Sequence, residues 1–215
     1  MTESEIDTVR FFENIGIEIT RIHDGVEKAP DFYLEVDNQT IYIEVKEVSD
    51  NADEVALIKE VEVNGHTDVH DSPEIGRRFR PGIRSANRQL KKRCLSGEPG
   101  LVIIQDVRNF FTRSMFPEEE VKLAMFGDRI TWLSARDGNV AADLYEKNKT
   151  VTERKNTTVS AVGLMVKNVN DQSLMLHIFH NPHAKNVMKV GLFRSDTIAE
   201  YKIRDTRTYG SFERL

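Results

Sequence analysis

Residues 30–48 read PDFYLEVDNQTIYIEVKEV and contain two stretches in which apolar and polar residues alternate. The alternation covers residues 31–36 and again residues 41–48, and it is typical of two β-strands. The Asp-Asn-Gln-Thr between them is typical of a turn, so this stretch predicts a β-hairpin. Because side chains alternate along a strand, Glu44 and Lys46 point to the same face of the second strand.

The predicted hairpin gathers charged side chains on one face of a sheet. The turn can bring Asp31, at the start of the first strand, close to Glu44 and Lys46. Two carboxylates and an ammonium group suit a hard divalent cation with a water molecule held beside it. The alternative is a solvent-facing hairpin on which these charges are only surface decoration. That alternative does not account for the Pro-Asp dipeptide before the first strand.

The dipeptide Pro30-Asp31, the hairpin and the tripeptide Glu44-Val45-Lys46 resemble the signature of the PD-(D/E)xK nuclease superfamily. The resemblance covers residues 1–106, in the order helix, strand, hairpin, basic helix and hydrophobic strand. It implies a restriction-endonuclease-like α/β fold, in which helices flank a mixed β-sheet. Residues 107–215 carry no recognised motif, and we expect them to form a β-rich elaboration of the same single domain, residues 1–215.

The resemblance also implies an activity, that of an Mg²⁺-dependent nuclease, with Mn²⁺ as the alternative ion. Asp31 and Glu44 would hold the ion together with the backbone carbonyl of Val45, and Lys46 would lie beside the attacking water. We expect a DNA endonuclease of a defence, restriction or repair type, with DNA favoured over RNA and a homodimer as one allowed assembly. One alternative is a catalytically silent module that binds nucleic acid or a partner. Another is a protein whose charge blocks mediate oligomer contacts.

The first predicted helix offers a further acidic candidate. Residues 3–15 are predicted to form a helix with Ile6 and Phe12 on its apolar stripe, and Glu13 projects from the side of that stripe. In the superfamily, an acidic residue from this helix often joins the metal site, where it would allow a second ion. Glu13 is equally compatible with a rim position, in which it pairs with an arginine.

A second helix, predicted over residues 83–95, offers a glutamine. Its apolar stripe includes Ile83, Ala86 and Leu90, and Gln89 lies beside that stripe. In several branches of the superfamily, a glutamine or basic residue on this helix reaches toward the catalytic centre. We therefore predict an auxiliary catalytic role for Gln89, with an ordinary boundary residue as the alternative.

Charge is unevenly distributed along the chain. The net charge is −5, with 30 basic and 35 acidic residues, which argues against nucleic-acid binding through bulk charge. Residues 76–93, however, contain eight basic residues and no acidic one. We expect seven of them to contact the phosphate backbone of a nucleic acid: Arg77, Arg78, Arg80, Arg84, Arg88, Lys91 and Lys92. The alternative is a solvated helix face that pairs with acidic neighbours.

The rest of the chain predicts a globular α/β protein. Residues 101–106 form a continuous apolar run, which is typical of a buried strand parallel to its neighbour. Further strands are predicted at 129–133, 159–166 and 174–179, with a short helix ending at Phe126. The polar residues 139–157 are predicted to form a loop or a flap that faces nucleic acid.

The amino-acid composition bears on the cellular compartment in which the protein is expected. No apolar run approaches the roughly 18 residues of a membrane span, so we expect no membrane partner. The single Cys94 excludes an intramolecular disulfide, and the acidic N-terminus lacks the pattern of a signal peptide. These features predict a protein of the cytoplasm.

Overall fold

The computed structural model describes residues 1–23, 29–66, 76–113, 115–168 and 171–215. Within these ranges the chain has an α/β architecture in which four helices flank a mixed β-sheet, as the sequence predicted.

The elements follow one another along both halves of the chain. The helices are α1 (Glu3–Asn14), α2 (Ala52–Asn64), α3 (Arg80–Leu90) and α4 (Pro117–Phe126). The strands are β1 (Ile19–Arg21), β2 (Phe32–Val36), β3 (Gln39–Val48), β4 (Gly100–Asp106), β5 (Arg129–Leu133), β6 (Val140–Tyr145), β7 (Val159–Lys167), β8 (Leu174–His180), β9 (Ile198–Ile203) and β10 (Phe212–Arg214).

Eight of the described strands form one sheet in the order β1-β2-β3-β4-β7-β8-β9-β10, and β5 and β6 form a separate hairpin. The centre of the sheet is parallel, because β4 runs parallel to both β3 and β7. The pair β8 and β9 is also parallel, and the remaining pairs are antiparallel. Residues 107–215 thus supply four strands to the sheet that carries the predicted hairpin.

The sheet separates two apolar clusters. Helix α1 packs on one face, where Phe12 contacts a cluster that includes Ile43 and Ile103. Helices α3 and α4 pack on the other face, where Ile83 and Val121 belong to a second cluster. Both faces of the central strand β4 are therefore buried, which explains its continuous apolar run.

The hairpin forms because its turn accepts a left-handed backbone. Asp37 and Asn38 have φ angles of +49° and +62°, a conformation that Asp and Asn tolerate better than most residues. Two positive φ angles in a two-residue turn match the twist of the flanking strands. The two hairpin strands, β2 and β3, begin and end within two residues of their predicted limits.

Helix α1 begins at a capping box, in which the side chains of Thr2 and Glu5 each accept a hydrogen bond from the other's backbone N–H. Its buried face differs from the predicted stripe, because Ile6 is 43% exposed while Asp7 is buried. Polar partners on the sheet compensate for this burial, as Gln105 Nε2 donates to Asp7 Oδ2 at 2.9 Å. The predicted stripe is therefore right at Phe12, which is buried, and wrong at Ile6.

Helix α3 begins three residues earlier than predicted, at Arg80, and ends at Leu90. The predicted stripe is confirmed, since Ile83, Ala86 and Leu90 are all buried against the sheet. Pro81 lies in the first turn, where its missing N–H costs the helix no hydrogen bond.

The second half contains strands that the sequence did not predict. Residues 140–145 were predicted to lie in a polar loop, but they form β6 and pair with β5. Strands β9 and β10 were also missed, because they are short and show little alternation. Among the described residues, no helix is both long enough and apolar enough to span a membrane.

Candidate active site

The pairing of β2 with β3 brings Asp31 beside Glu44. The register aligns Phe32 with Ile43, so the next position on each strand places Asp31 opposite Glu44. Asp31 Oδ2 accepts a hydrogen bond from the backbone N–H of Val45 at 2.7 Å. This bond holds the Asp31 carboxylate across the end of the hairpin.

Lys46 completes the group and connects it to helix α3. Its Nζ donates to Glu44 Oε1 and, at 3.2 Å, to Gln89 Oε1. Gln89 Nε2 in turn donates to the backbone carbonyl of Ala29 at 3.3 Å. Gln89 therefore bridges the ammonium group on β3 and the segment that leads into Asp31.

A glycine lets helix α3 approach the strand this closely. A Cβ atom at Gly82 would lie 3.4 Å from Lys46 Cβ and 3.5 Å from Lys46 Cγ. Gly82 thus packs over the aliphatic part of Lys46 and helps set the direction of its ammonium group. This contact depends on tertiary packing, so no local pattern in the sequence indicates it.

Glu44 occupies an unusual environment for a carboxylate. Its side chain is 1% exposed, and its Oε2 atom is buried without a hydrogen-bond partner within the described parts of the chain. Burial, followed by repulsion from Asp31, raises the pKa of Glu44 to about 7, against the opposing effect of Lys46. A buried carboxylate oxygen that lacks a donor is costly, and a cation can satisfy it.

The oxygen donors fit a hard divalent cation. Asp31 and Glu44 supply two carboxylates, and Val45 can add its backbone carbonyl, because the N–H and C=O of one residue in a strand point to the same side. Mg²⁺ is usually held by only one or two carboxylates and keeps several water ligands. No group of three or more His, Cys, Asp or Glu side chains in the described ranges has metal-binding geometry, so the set stops at two acidic side chains.

Glu13 does not join this pair. It lies in the last turn of α1, and its side chain is exposed on the surface near Gly16. Its expected inward position is wrong, because the buried face of α1 is the one that carries Asp7 and Phe11. The exposed position of Glu13 therefore gives no support to a second metal ion held by its carboxylate.

The basic segment divides into two groups. Arg80 is buried and pairs with Asp128, which argues against its expected nucleic-acid contact, and the partly exposed Arg78 pairs with Glu54 at 2.9 Å. Arg77 and Lys92 are exposed but each also takes part in an interaction inside the protein. The second group consists of exposed side chains with no ion pair among the described residues: Arg84, Arg88 and Lys91.

No protein-family model, no curated protein and no solved structure matches this chain. What the site can do chemically therefore has to be inferred from its own geometry.

Proposed function

We propose that this protein is a metal-dependent nuclease with a restriction-endonuclease-like fold, which hydrolyses phosphodiester bonds in DNA. The observation that carries the proposal is the pairing of Asp31 with Glu44, whose buried Oε2 atom has no hydrogen-bond donor among the described residues. Two facing carboxylates next to an ammonium group form the oxygen-rich, partly cationic site that phosphodiester hydrolysis requires. A mixed sheet with the pair on β2 and β3 agrees with the fold that the motif implies.

The chemistry that Mg²⁺ supplies when bound is polarisation of the scissile phosphate and activation of a water molecule. Lys46 has a side chain that is 24% exposed, so its ammonium group can reach a phosphate while it keeps its contact with Glu44. Its positive charge stabilises the negative charge that develops on the phosphate oxygens. Gln89 acts as a positioning residue, since it holds Lys46 through Oε1 and is itself held by Ala29.

Binding of the DNA backbone falls to the exposed cations of α3 and the turn after it. Arg84, Arg88 and Lys91 lie on the outer side of the segment that packs Gly82 over Lys46. Contacts of this kind give affinity and register without reading base sequence. The alternative of a silent binding module is favoured by one observation, the absence of a third acidic ligand from the described residues.

The activity test compares Lys46→Ala and Asp31→Asn with the wild-type protein. We expect Mg²⁺-dependent cleavage of plasmid DNA, and a loss of roughly a thousandfold or more in kcat/KM for either variant, because each removes charge stabilisation worth about 4 kcal/mol. Glu35→Gln is the matched control, because Glu35 is an exposed carboxylate on β2, the strand that begins directly after Asp31. Its cleavage rate should equal that of the wild type.

The outcomes separate the two candidate functions. Full activity in Lys46→Ala, after purification away from contaminating nucleases, would contradict the nuclease assignment. DNA binding without cleavage in Mg²⁺ or Mn²⁺ would support the silent binding module instead. Parallel assays with RNA of the same sequence decide which nucleic acid is cleaved.

A further inference from the structure

A second cationic site lies away from Lys46, at the end of the sheet where β4 and β7 begin. A surface pocket of about 400 Å³ is lined by Lys149, Arg154, Lys155 and His183, together with the exposed Glu153. Lys149 to Lys155 come from the segment between β6 and β7, and His183 follows β8.

Backbone hydrogen bonds fix the position of this pocket. The segment after β8 lies along the start of β7, because Lys185 N–H donates to Thr157 O at 2.7 Å and Asn181 N–H donates to Ser160 O at 2.9 Å. On the other side of β7, the Gly100 N–H at the start of β4 donates to Ser160 Oγ at 3.0 Å. The two cationic segments are therefore anchored at one end of the sheet.

The cations of the pocket are not balanced by internal ion pairs. Arg154, Lys155 and His183 form no salt bridge within the described residues, although Arg129 and Arg204 elsewhere on the surface are paired with carboxylates. Among the described residues, Lys149 Nζ donates only to the backbone carbonyl of Thr206, at 3.3 Å. An anion bound in this concave site would be attracted by the positive charges of Lys149, Arg154 and Lys155.

The electrostatic environment of Lys149 is set by burial and by charged groups outside the pocket lining. Partial burial and then the nearby charge of Arg207 lower the pKa of Lys149, against weaker opposing effects of Asp205 and Glu146. The ammonium group is thus held in surroundings that disfavour its charge, which an anionic ligand would reverse.

We propose that this pocket is a second phosphate-binding site, which holds the backbone of the nucleic acid beyond the catalytic pair. The inference rests on the proposed function for the identity of the ligand. The partner it fits is a nucleic acid, because three cations and an imidazole in an open pocket can contact successive phosphates of a regular backbone.

The position of the pocket fits one continuous nucleic acid. Strands β3, β4, β7 and β8 are successive neighbours, and Tyr42, Gly100 and Val159 are aligned at the end where the pocket lies. Three strand spacings of about 4.8 Å place the end of β8 about 14 Å to the side of β3. Because Lys46 also lies four residues, about 13 Å, farther along β3 than Tyr42, the total separation is roughly 19 Å, or about six base pairs of a duplex at about 3.4 Å each. Exposed Lys91 follows α3 at the same end of the sheet.

The test measures binding without cleavage. Labelled duplex DNA is titrated with the full-length protein in EDTA at several salt concentrations. The double variant Arg154→Glu, Lys155→Glu should bind more weakly, and the slope of log K against log salt should fall by about 1.8, because each lost phosphate contact contributes about 0.9. The matched control is Lys59→Glu, Arg136→Glu, which makes the same change in charge at exposed positions outside the pocket. Its salt slope should match that of the wild type.

Each outcome either supports or overturns the inference. An unchanged salt slope in Arg154→Glu, Lys155→Glu, or an equal loss in the control variant, overturns it. A milder pair, Arg154→Gln with Lys155→Gln, repeats the test if charge reversal impairs folding as judged by circular dichroism. Duplex RNA should show the same loss, since the phosphate is common to both. If binding depends on the pocket while cleavage is absent, the nuclease assignment fails and this inference stands.

Discussion

At the scale of single residues, Glu44 combines deep burial with a carboxylate oxygen that has no hydrogen-bond partner in the described part of the chain. The unfolded carboxyl group titrates near its ordinary pKa of 4.5, and burial together with Asp31 raises the pKa to about 7 in the folded protein. Between these values the folded state binds more protons than the unfolded state. The free energy of unfolding of the metal-free protein therefore falls as pH rises from about 4.5 to about 7.

Glu44→Gln tests this residue, because glutamine stays neutral at every pH. In EDTA at pH 8, we expect the variant to be more stable than the wild type by up to about 3 kcal/mol, with most of that difference gone at pH 5. Urea unfolding at the two pH values measures it. Adding Mg²⁺ at pH 8 should stabilise the wild type and leave the variant unchanged, since a ligand stabilises only a state that binds it.

The control for this prediction is Glu35→Gln, which removes an exposed carboxylate of the same hairpin. It should show no pH-dependent difference from the wild type. A stability difference between Glu44→Gln and wild type that is equal at pH 5 and pH 8 would contradict the raised pKa of Glu44.

At the scale of elements, close approaches between helices, strands and turns decide the packing. Gly127 ends helix α4 with a φ of +108°, and a Cβ atom there would lie 2.4 Å from Lys147 O and 2.8 Å from Lys149 Cγ. The junction between α4 and β5 thus packs directly against the turn that follows β6. This contact also positions Lys149, one of the cations of the phosphate-binding pocket.

Gly127→Ala and Gly97→Ala form a matched pair. Gly97 has a φ of +111° but nothing within 4 Å of its Cβ position, so both variants carry backbone strain and only Gly127→Ala adds a clash. We expect Gly127→Ala to destabilise the protein by about 1–3 kcal/mol more than Gly97→Ala does. Thermal unfolding of both variants measures the difference, and equal losses would show that Lys147 moves away without cost.

At the scale of the whole molecule, α1 is tied to strands far along the chain. Lys167 Nζ at the end of β7 binds Asp7 Oδ2 and Glu3 Oε1, each at 3.1 Å. The two carboxylates differ in burial, since the side chain of Asp7 is 2% exposed and that of Glu3 is 73% exposed. Asp7 also accepts from Gln105 on β4, so it joins the first helix to both halves of the sheet.

Asp7→Ala should therefore cost far more stability than Glu3→Ala. Removing Asp7 leaves the Gln105 amide without its partner inside the protein, and we expect a loss of about 2–3 kcal/mol. Glu3→Ala removes an exposed ion pair with the same lysine and should cost less than about 1 kcal/mol. Chemical denaturation of both variants tests the comparison. Equal losses of stability would mean that the burial of Asp7 and its hydrogen bond with Gln105 add nothing beyond the ion pair with Lys167 that both carboxylates share.

Local patterns in the sequence were sufficient to predict the elements that carry the candidate site. Alternation along residues 31–48 predicted the hairpin, apolar spacing predicted the packed face of α3, and a continuous apolar run predicted the parallel strand β4. These patterns can be read locally because strand and helix periodicities are set by neighbouring residues. The motif on the hairpin also named the residues that the structure places around Glu44.

Tertiary contacts determine which charged side chains remain available to bind a ligand. Arg78 and Arg80 look like surface cations in the sequence, yet Glu54 and Asp128 come from elements that reach them only through folding. The exposed position of Glu13 likewise follows from how α1 docks on the sheet. Burial, ion pairing and the pocket that joins two separate segments depend on contacts between residues distant in the chain. Local periodicity carries no information about such contacts, so the sequence alone could not assign them.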